Sequence, residues 1–337
     1  MDDFAFLVNA RNFDDIRRVS KIFKIIPGNI VQLVCLFFPP RITSRVIGLK
    51  TVNGKKIDGC LIGILMTDEQ MLRYRWLARW RMMEACKIAK KNEVGLLGLA
   101  VIPSYITKGG FDLVRKHFNK PVVNGRTMTA AVAIEAVKIF LNKNNVRCEN
   151  AKIAILGATD LVGKGISKWV CRENFKKITL IGKTIDHLSN LKDEITAVNK
   201  KNYIIRPVEV TTDINGVNDA DMIIIVSTNK KIVINADMVK KGAVIYNVTQ
   251  SRNGYVELRE KRPDVKFIVG SLMETPGIVS SFDFGLPVGV NFSCLTETMV
   301  SSAEGAISDS VGDIELVKLD NIINIAKKYN FKPYINY

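Results

Sequence analysis

Two stretches of this chain hold residues whose types and spacing suit chemistry. In "PVGVNFSCLTETM", Pro287 to Met299, a cysteine stands where a Gly/Pro-rich loop gives way to a helix. A thiol in the first helical turn feels the positive end of the peptide dipoles, which favours the thiolate, the form that attacks an acyl carbon. The next amides, those of Leu295 and Thr296, are placed to help hold an oxyanion. Position alone leaves three roles open for Cys294: a nucleophile, a buried packing residue or a surface thiol.

The second stretch, "AKIAILGATDLVGKGISKWV", runs an apolar strand into a glycine-containing turn and then a helix. Gly157 permits the tight turn and Gly163 close helix packing. The amides of Ala158, Thr159, Leu161 and Val162 then face a pyrophosphate. A plain strand-helix turn is the alternative. Asp160 brings a carboxylate to the approach of the phosphates, so it weakens binding if it points inward and costs nothing if it points out. At the end of "LIGKTID", Lys183 and Thr184 stand where an acid would hold the ribose hydroxyls of NAD. A cation there suits the 2′-phosphate of NADP, so NADPH is the expected cofactor, with an ordinary solvated lysine as the alternative. Ser227 and Thr228, closing "ADMIIIVST", are further candidate cofactor contacts.

These residues need elements to position them. The 337 residues suffice for about two domains, and 47% hydrophobic with 24% charged is an ordinary globular composition. Short apolar runs ("AKIAIL", "KITLIG", "NYIIRPVEV", "ADMIIIVST", "GAVIYNV", "KFIVGS") alternate with helical segments or turns, which predicts a doubly wound parallel α/β sheet of the Rossmann type. A helix from Thr129 precedes it, with Ala130, Ile134, Val137 and Leu141 on one face. The expected boundaries are 1–124 for an N-terminal α/β substrate domain and 125–290 for the nucleotide domain. Residues 291–337 form a mainly helical segment that packs back on the first domain.

Within residues 1–124, "RVIGLKTVNGKKIDGCLIGILM" reads as a hairpin around Asn53-Gly54, a pair suited to a type I′ turn. Leu72, Trp76, Trp80, Met83 and Cys86 recur at helical spacing and are expected in the core. "VGLLGLAVIPSY" reads as a buried strand ending at Pro103. "IIPGNIVQLVCLFFPP" is too short to span a bilayer and reads as a core helix or a greasy lip for a lipid, so a peripheral membrane contact stays open.

The net charge of +16 is dispersed in runs such as "KIAKKN" and biases the chain toward acidic partners. No interleaving of aromatic and basic residues marks a nucleic-acid module. Six scattered cysteines without a CxxC pair, and only two histidines, suggest neither a zinc site nor a disulfide framework. The acidic start "MDDFAFLVNARNFDD" lacks the features of a secretory signal, which makes the cytoplasm the expected location.

The sequence also resembles a known family, the aldehyde-forming long-chain acyl-(acyl-carrier-protein) reductases of alkane-producing cyanobacteria and their bacterial relatives labelled amino-acid or shikimate dehydrogenase-like. "VVNGRTMTAAVAIEAVK" is similar to the family's T-G-N-T-x-T-A segment, and "AKIAILGATDLVGKGISKWV" to its V-G-A-T-G-x-I-G loop. "VNFSCLTETM" is similar to its A-C-x-A-E-x-M helix, and the closing "AKKYNFKP" also matches. The resemblance implies that Cys294 attacks the thioester of an acyl-carrier protein or acyl-CoA and that NADPH reduces the acyl-enzyme to a fatty aldehyde. It further implies that Thr127 and Thr129 lie at the cofactor. Glu297 matches a family glutamate and either orients groups or pairs with a neighbouring base. Met273, Phe282 and Phe284, in or near "SLMETPGIVSSFDFGLP", are candidates to line an acyl tunnel or are ordinary loop packing.

Three positions depart from the family: Asp160 replaces a glycine, Arg126 an asparagine, and Ser251 in "NVTQSRN" a proline. All three bear on the cofactor more than on acyl transfer. Two other functions therefore stay open: a shikimate-dehydrogenase-like alcohol oxidoreductase using Lys108 and Asp112, and a nucleotide- or carrier-binding protein without hydride transfer.

Overall fold

The computed structural model describes residues 2–19, 23, 25–112, 114–201, 208–227, 234–249, 256–306 and 308–335. The chain divides into two compact units. The first comprises Met1–Gly125, Glu274–Gly312 and Ile325–Phe331, and the second Arg126–Met273, Asp313–Asn324 and Lys332–Tyr337.

The first unit opens with β1 (Phe4–Ala10), α1 (Phe13–Val19), α2 (Gly28–Phe37), β2 (Arg41–Lys50) and β3 (Lys56–Thr67). It continues through α3 (Asp68–Arg73), α4 (Arg75–Lys91), β4 (Leu96–Leu99), α5 (Val101–Ile106), α6 (Val114–His117) and β5 (Val122–Val123). The second unit holds α7 (Arg126–Lys143), β6 (Lys152–Leu156), α8 (Leu161–Val170), β7 (Lys177–Ile181), α9 (Ile185–Lys201), β8 (Val208–Thr211), β9 (Met222–Ile225), β10 (Val244–Asn247), α10 (Val256–Lys261) and β11 (Lys266–Val269). Later elements are β12 (Leu272–Glu274), β13 (Val279–Ser280), β14 (Val290–Phe292), α11 (Ser293–Ala303), α12 (Leu316–Lys328) and β15 (Lys332–Pro333).

The sheet of the second unit has the order β11-β10-β9-β6-β7-β8, and its pairs are all parallel. Strands buried on both faces need apolar side chains throughout, which is why Met222–Ile225 and Val244–Asn247 are fully buried. The doubly wound parallel sheet expected from the apolar runs is thus present. Residues 202–207 of "NYIIRPVEV" lie outside the described residues. Helix α7 starts at Arg126, three residues before the expected Thr129, and buries Ala130, Ile134, Val137 and Leu141.

The first unit has a mixed sheet of order β13-β2-β3-β1-β4-β5. Strand β1 runs parallel to β3 and β4, while β2 is antiparallel to β3 and β13. Pairing of Val279 and Ser280 with β2 is what draws the segment from Glu274 onward into this unit, rather than the nucleotide domain where the sequence pattern put it. Helix α11 packs on β4 and β1. Asp313–Asn324, by contrast, belongs to the second unit: Ile314 packs against Gly165, and Asp320 accepts two hydrogen bonds from Arg172 at 2.7 and 3.0 Å.

Local differences from the sequence reading have simple causes. The β2–β3 hairpin forms, but its loop spans Thr51–Lys55 and is closed by the Gly54 amide on the Thr51 carbonyl; of Asn53 and Gly54 only the glycine has positive φ, so the turn is not type I′. Strand β4 ends at Leu99, and Pro103 sits in the first turn of α5, where its missing N–H costs nothing. The expected core stripe of Leu72, Trp76 and Trp80 is wrong. Tyr74 breaks the helix (φ −106°, ψ 57°), and the reset α4 buries Ala78, Met82, Ala85 and Ala89, leaving Trp76 72% exposed.

Candidate functional site

In the second unit the turn after β6 is built by backbone contacts at the carboxyl end of three strands. The amides of Gly157 and Ala158 both donate to the Ile181 carbonyl that ends β7, and the Ser227 amide after β9 donates to the Leu156 carbonyl. Gly157 has φ +89°, and a Cβ there would lie 2.7 Å from the Ser227 amide nitrogen. A Cβ on Gly163 would lie 2.2 Å from the Gly157 carbonyl oxygen, so this glycine lets α8 close on the turn. Ala158 is buried, and Thr159 lies beside Gly182. Lys183 is exposed next to that glycine, and Thr184 receives the first amide bond of α9. Gly157, Ala158, Thr159, Asp160, Lys183, Thr184 and Ser227 therefore share one strand-end cluster. Thr228 and Ser251 lie outside the described residues.

Asp160 resolves the question left by the sequence. It is the N-cap of α8, and its carboxylate accepts from the Val162 amide at 3.1 Å. The carboxylate thus takes a donor that a phosphate would use. Asp160 is solvent-exposed as a residue; partial desolvation of its carboxyl in the turn raises it above the ordinary range, while the Val162 amide and the Arg126 guanidinium lower it. Arg126, at the first position of α7, is lowered by burial and raised by its attraction to Asp160 and Asp313. Two departures from the family pattern are therefore electrostatic partners. Thr127 is buried and Thr129 half-buried in that same first turn.

In the first unit, Cys294 is the second residue of α11, after the N-cap Phe292. Gly125, at φ +74°, passes so close that a Cβ on it would stand 2.2 Å from the Cys294 Cβ. The thiol is half-buried, and burial pushes it up to about 12. The amides of Leu295 and of Cys294 itself pull it down, and the Glu297 carboxylate adds to the rise. The expectation that the helix terminus makes Cys294 a thiolate is corrected here: loss of hydration outweighs the two amides. Glu297 is itself buried and accepts from the Ser310 hydroxyl at 2.9 Å.

Phe282 stacks edge-on against Phe284, with centroids 5.0 Å apart, and Phe284 against Phe292 at 5.5 Å. Arg11 lies over the Phe292 ring and donates to the Phe284 carbonyl at 2.7 Å. Two of the three residues expected to meet an acyl chain thus form an aromatic row ending at the α11 cap. Met273 falls in the second unit, where it is buried. Arg11, Gly125, Phe292 and Ser310 escaped the sequence reading, although Gly125 lies within "VVNGRTM" and Phe292 within "VNFSCLTETM".

Lys108 and Asp112 pair at 2.8 Å, and both are solvent-exposed. The lysine holds the Asp112 carboxyl below its usual range. Lys108 also edges a cavity of about 310 Å³ lined by Arg75, Arg79, Tyr105 and Ile106. Among the described residues no His, Cys, Asp or Glu side chains cluster as a metal site, and no helix is long and apolar enough to cross a membrane.

No family model and no curated protein matches the sequence. Solved structures that align with this chain include quinate dehydrogenase from Corynebacterium glutamicum in complex with NAD (10% identity, 97% of this chain and 99% of that one, TM-score 0.44). L-tryptophan dehydrogenase from Nostoc punctiforme aligns at 10% identity over 98% of this chain and 80% of that one, TM-score 0.44. A chorismate mutase/shikimate 5-dehydrogenase fusion protein from Clostridium acetobutylicum aligns at 14% over 98% and 99%, TM-score 0.40. At these levels the likeness says nothing of activity or substrate.

The half-buried thiol makes a direct prediction. In a Cys148→Ser background, which removes the other half-buried cysteine, alkylation of Cys294 by iodoacetamide rises about tenfold per pH unit from neutrality to about pH 10. A plateau near neutral pH, followed by peptide mass analysis, would show a thiolate and overturn the assigned environment. Glu297→Gln speeds the reaction a few-fold at fixed pH by removing the neighbouring negative charge.

Proposed function

We propose that this chain is an oxidoreductase using a nicotinamide dinucleotide, NADPH by preference, held on the β6–α8 turn of the second unit. The observation that carries the reading is topological. In chain order the six parallel strands lie 3-2-1-4-5-6, and the glycine turn follows the first of them, where the order reverses. Open α/β sheets bind dinucleotides at that point. The residues fit such a group: Gly157 and Gly163 keep the turn open, Ser227 closes its side, and the exposed cation of Lys183 supports the choice of a 2′-phosphate. A bound nicotinamide supplies or accepts a hydride.

Asp160 works against binding, and Arg126 compensates. Asp160→Asn keeps a capping side chain and removes the charge, so it tightens NADPH binding by roughly tenfold; Arg126→Ala weakens it by about as much. Titration of NADPH and NADH by nucleotide fluorescence measures both. A clear preference for NADH removes the role given to Lys183. Binding of neither nucleotide by wild type or Asp160→Asn defeats the oxidoreductase reading.

For the substrate we favour an acyl thioester at Cys294, supported by the Phe282–Phe284–Phe292 row that ends at the cap of the helix carrying it. The Cys294 sulfur bonds to the thioester carbonyl carbon, the bond to the carrier's sulfur breaks, and the carrier thiol leaves with the proton from Cys294. The acyl chain remains as a thioester on the enzyme; a hydride from the dihydronicotinamide proposed above would reduce its carbonyl carbon, break the bond to the Cys294 sulfur and yield an aldehyde and the free thiol. The net charge of +16 suits an acidic carrier protein. Incubation with a long-chain acyl carrier protein without nucleotide, then intact-mass analysis, gives an acyl-sized gain in wild type and none in Cys294→Ala.

The cavity beside Lys108 favours a second reading, oxidation or reduction of a small carboxylate-bearing alcohol or ketone held by Arg75 and Arg79. Its signature is turnover that survives Cys294→Ala and is lost in Lys108→Ala.

A further inference from the structure

Helix α2 contains no Asp, Glu, Lys, Arg or His, yet one face of it is uncovered. Ile30, Leu33, Val34 and Phe37, at i, i+3, i+4 and i+7, are 52%, 59%, 40% and 68% exposed. The opposite positions, Val31 and Cys35, are buried with Ala10, Ile16 and Leu65. The helix is therefore fixed to the first unit by one stripe and offers the other to its surroundings.

That face continues onto neighbouring elements. The Gln70 side chain donates to the Gln32 carbonyl at 3.0 Å, which sets α3 beside α2. Arg81 of α4 donates to the Phe37 carbonyl at 2.6 Å, and its guanidinium lies 4.5 Å from the Trp80 ring centroid. Trp80 is thereby held near the end of α2, with Trp76 one turn earlier; both indoles are exposed. Cations border the patch. Arg41 lies over the Phe38 ring at the exit from α2, and Arg73 lies over the Tyr74 ring at the α3–α4 junction.

We propose that this α2 face is a docking surface for an anionic lipid bilayer. The proposal is independent of the catalytic reading. Aliphatic side chains entering the acyl boundary, indoles at headgroup depth and a rim of arginines are the combination that holds a short helix flat on a membrane. Charge decides between occupants. A second copy of the chain would bring its own +16 against the same arginines, whereas an anionic surface neutralises them. No described helix crosses a bilayer, so the contact is peripheral.

The test is partitioning of the full chain onto vesicles of equal parts phosphatidylglycerol and phosphatidylcholine, by sedimentation and by tryptophan emission. Trp169 is buried, so a blue shift on vesicle addition reports Trp76 and Trp80. Wild type binds the anionic vesicles, binds pure phosphatidylcholine weakly and is released by high salt. Leu33→Glu with Phe37→Glu loses roughly tenfold or more in partitioning, with circular dichroism unchanged because both positions are exposed. Quenching of wild-type emission by brominated acyl chains needs no variant and reads the same contact. The proposal is overturned if wild type neither sediments with nor is quenched by anionic vesicles, or if the double variant partitions unchanged. It is also overturned if these substitutions abolish self-association, or saturable binding of an acyl-carrier protein, with no lipid binding in wild type.

Discussion

Gly125→Ala lowers the stability of the first unit by roughly 3 kcal/mol or more. Two costs combine. At φ +74° an L-residue loses about 1–2 kcal/mol relative to glycine. The new methyl also meets the Cys294 Cα at 2.4 Å and Cβ at 2.2 Å, and the Cα belongs to the backbone of a buried helix that cannot swing aside. Gly54→Ala is the matched control: φ is +80°, nothing lies within 4 Å of the added methyl, and only the conformational cost applies. Denaturant unfolding followed through the fluorescence of Trp76 and Trp80, in a Trp169→Phe background, compares the two. Equal losses would mean that the close approach of Gly125 to Cys294 does not exist in solution. A larger loss for Gly125→Ala, with faster alkylation of Cys294, would show that this contact shields the thiol.

Gly157→Val reduces NADPH affinity by roughly a hundredfold. A Cβ at this position lies 2.7 Å from the Ser227 amide nitrogen and 3.1 Å from its Cα. Both neighbours are backbone, tied to β6 and β9, so the turn itself must shift, and the dinucleotide proposed there would lose its cradle. The substitution also costs about 2 kcal/mol or more through positive φ and the contact, so folding is checked by far-UV circular dichroism before titration. Undiminished NADPH binding by a folded Gly157→Val protein would place the nucleotide elsewhere. Because Asp160→Asn acts at the same turn in the opposite direction, the pair of variants separates loss of the cradle from relief of its negative charge.

Asp160 and Arg126 show where reading residues one at a time stops. Each looked like a separate obstacle to the cofactor, one bringing a carboxylate and the other replacing a neutral amide. Their attraction exists only because the first residue of α7 is packed near the cap of α8. Cys294 failed in the other direction. A cysteine in the first turn of a helix was readable from "NFSCLTE", and the helix begins at Ser293. Its protonation was not readable, because desolvation depends on what packs against it, and Gly125 comes from a distant part of the chain. Trp76 and Trp80 were misread because a uniform helical period was carried through Tyr74, where the backbone breaks and resets the buried stripe.

By itself the sequence determined the parallel sheet, the glycine turn after its first strand and the cysteine at a helix start. Each is written in neighbouring residues: continuous apolar runs suit strands covered on both faces, and glycine spacing suits a tight turn. Tertiary structure decided the strand order that places the turn at the reversal point, the return of Val279 and Ser280 to β2, the attraction between Asp160 and Arg126 and the raised pKa of Cys294. It also left the apolar face of α2 uncovered. These depend on segments far apart in the chain and on the water they exclude, and hydration free energy is a property of the packed surroundings rather than of residue type.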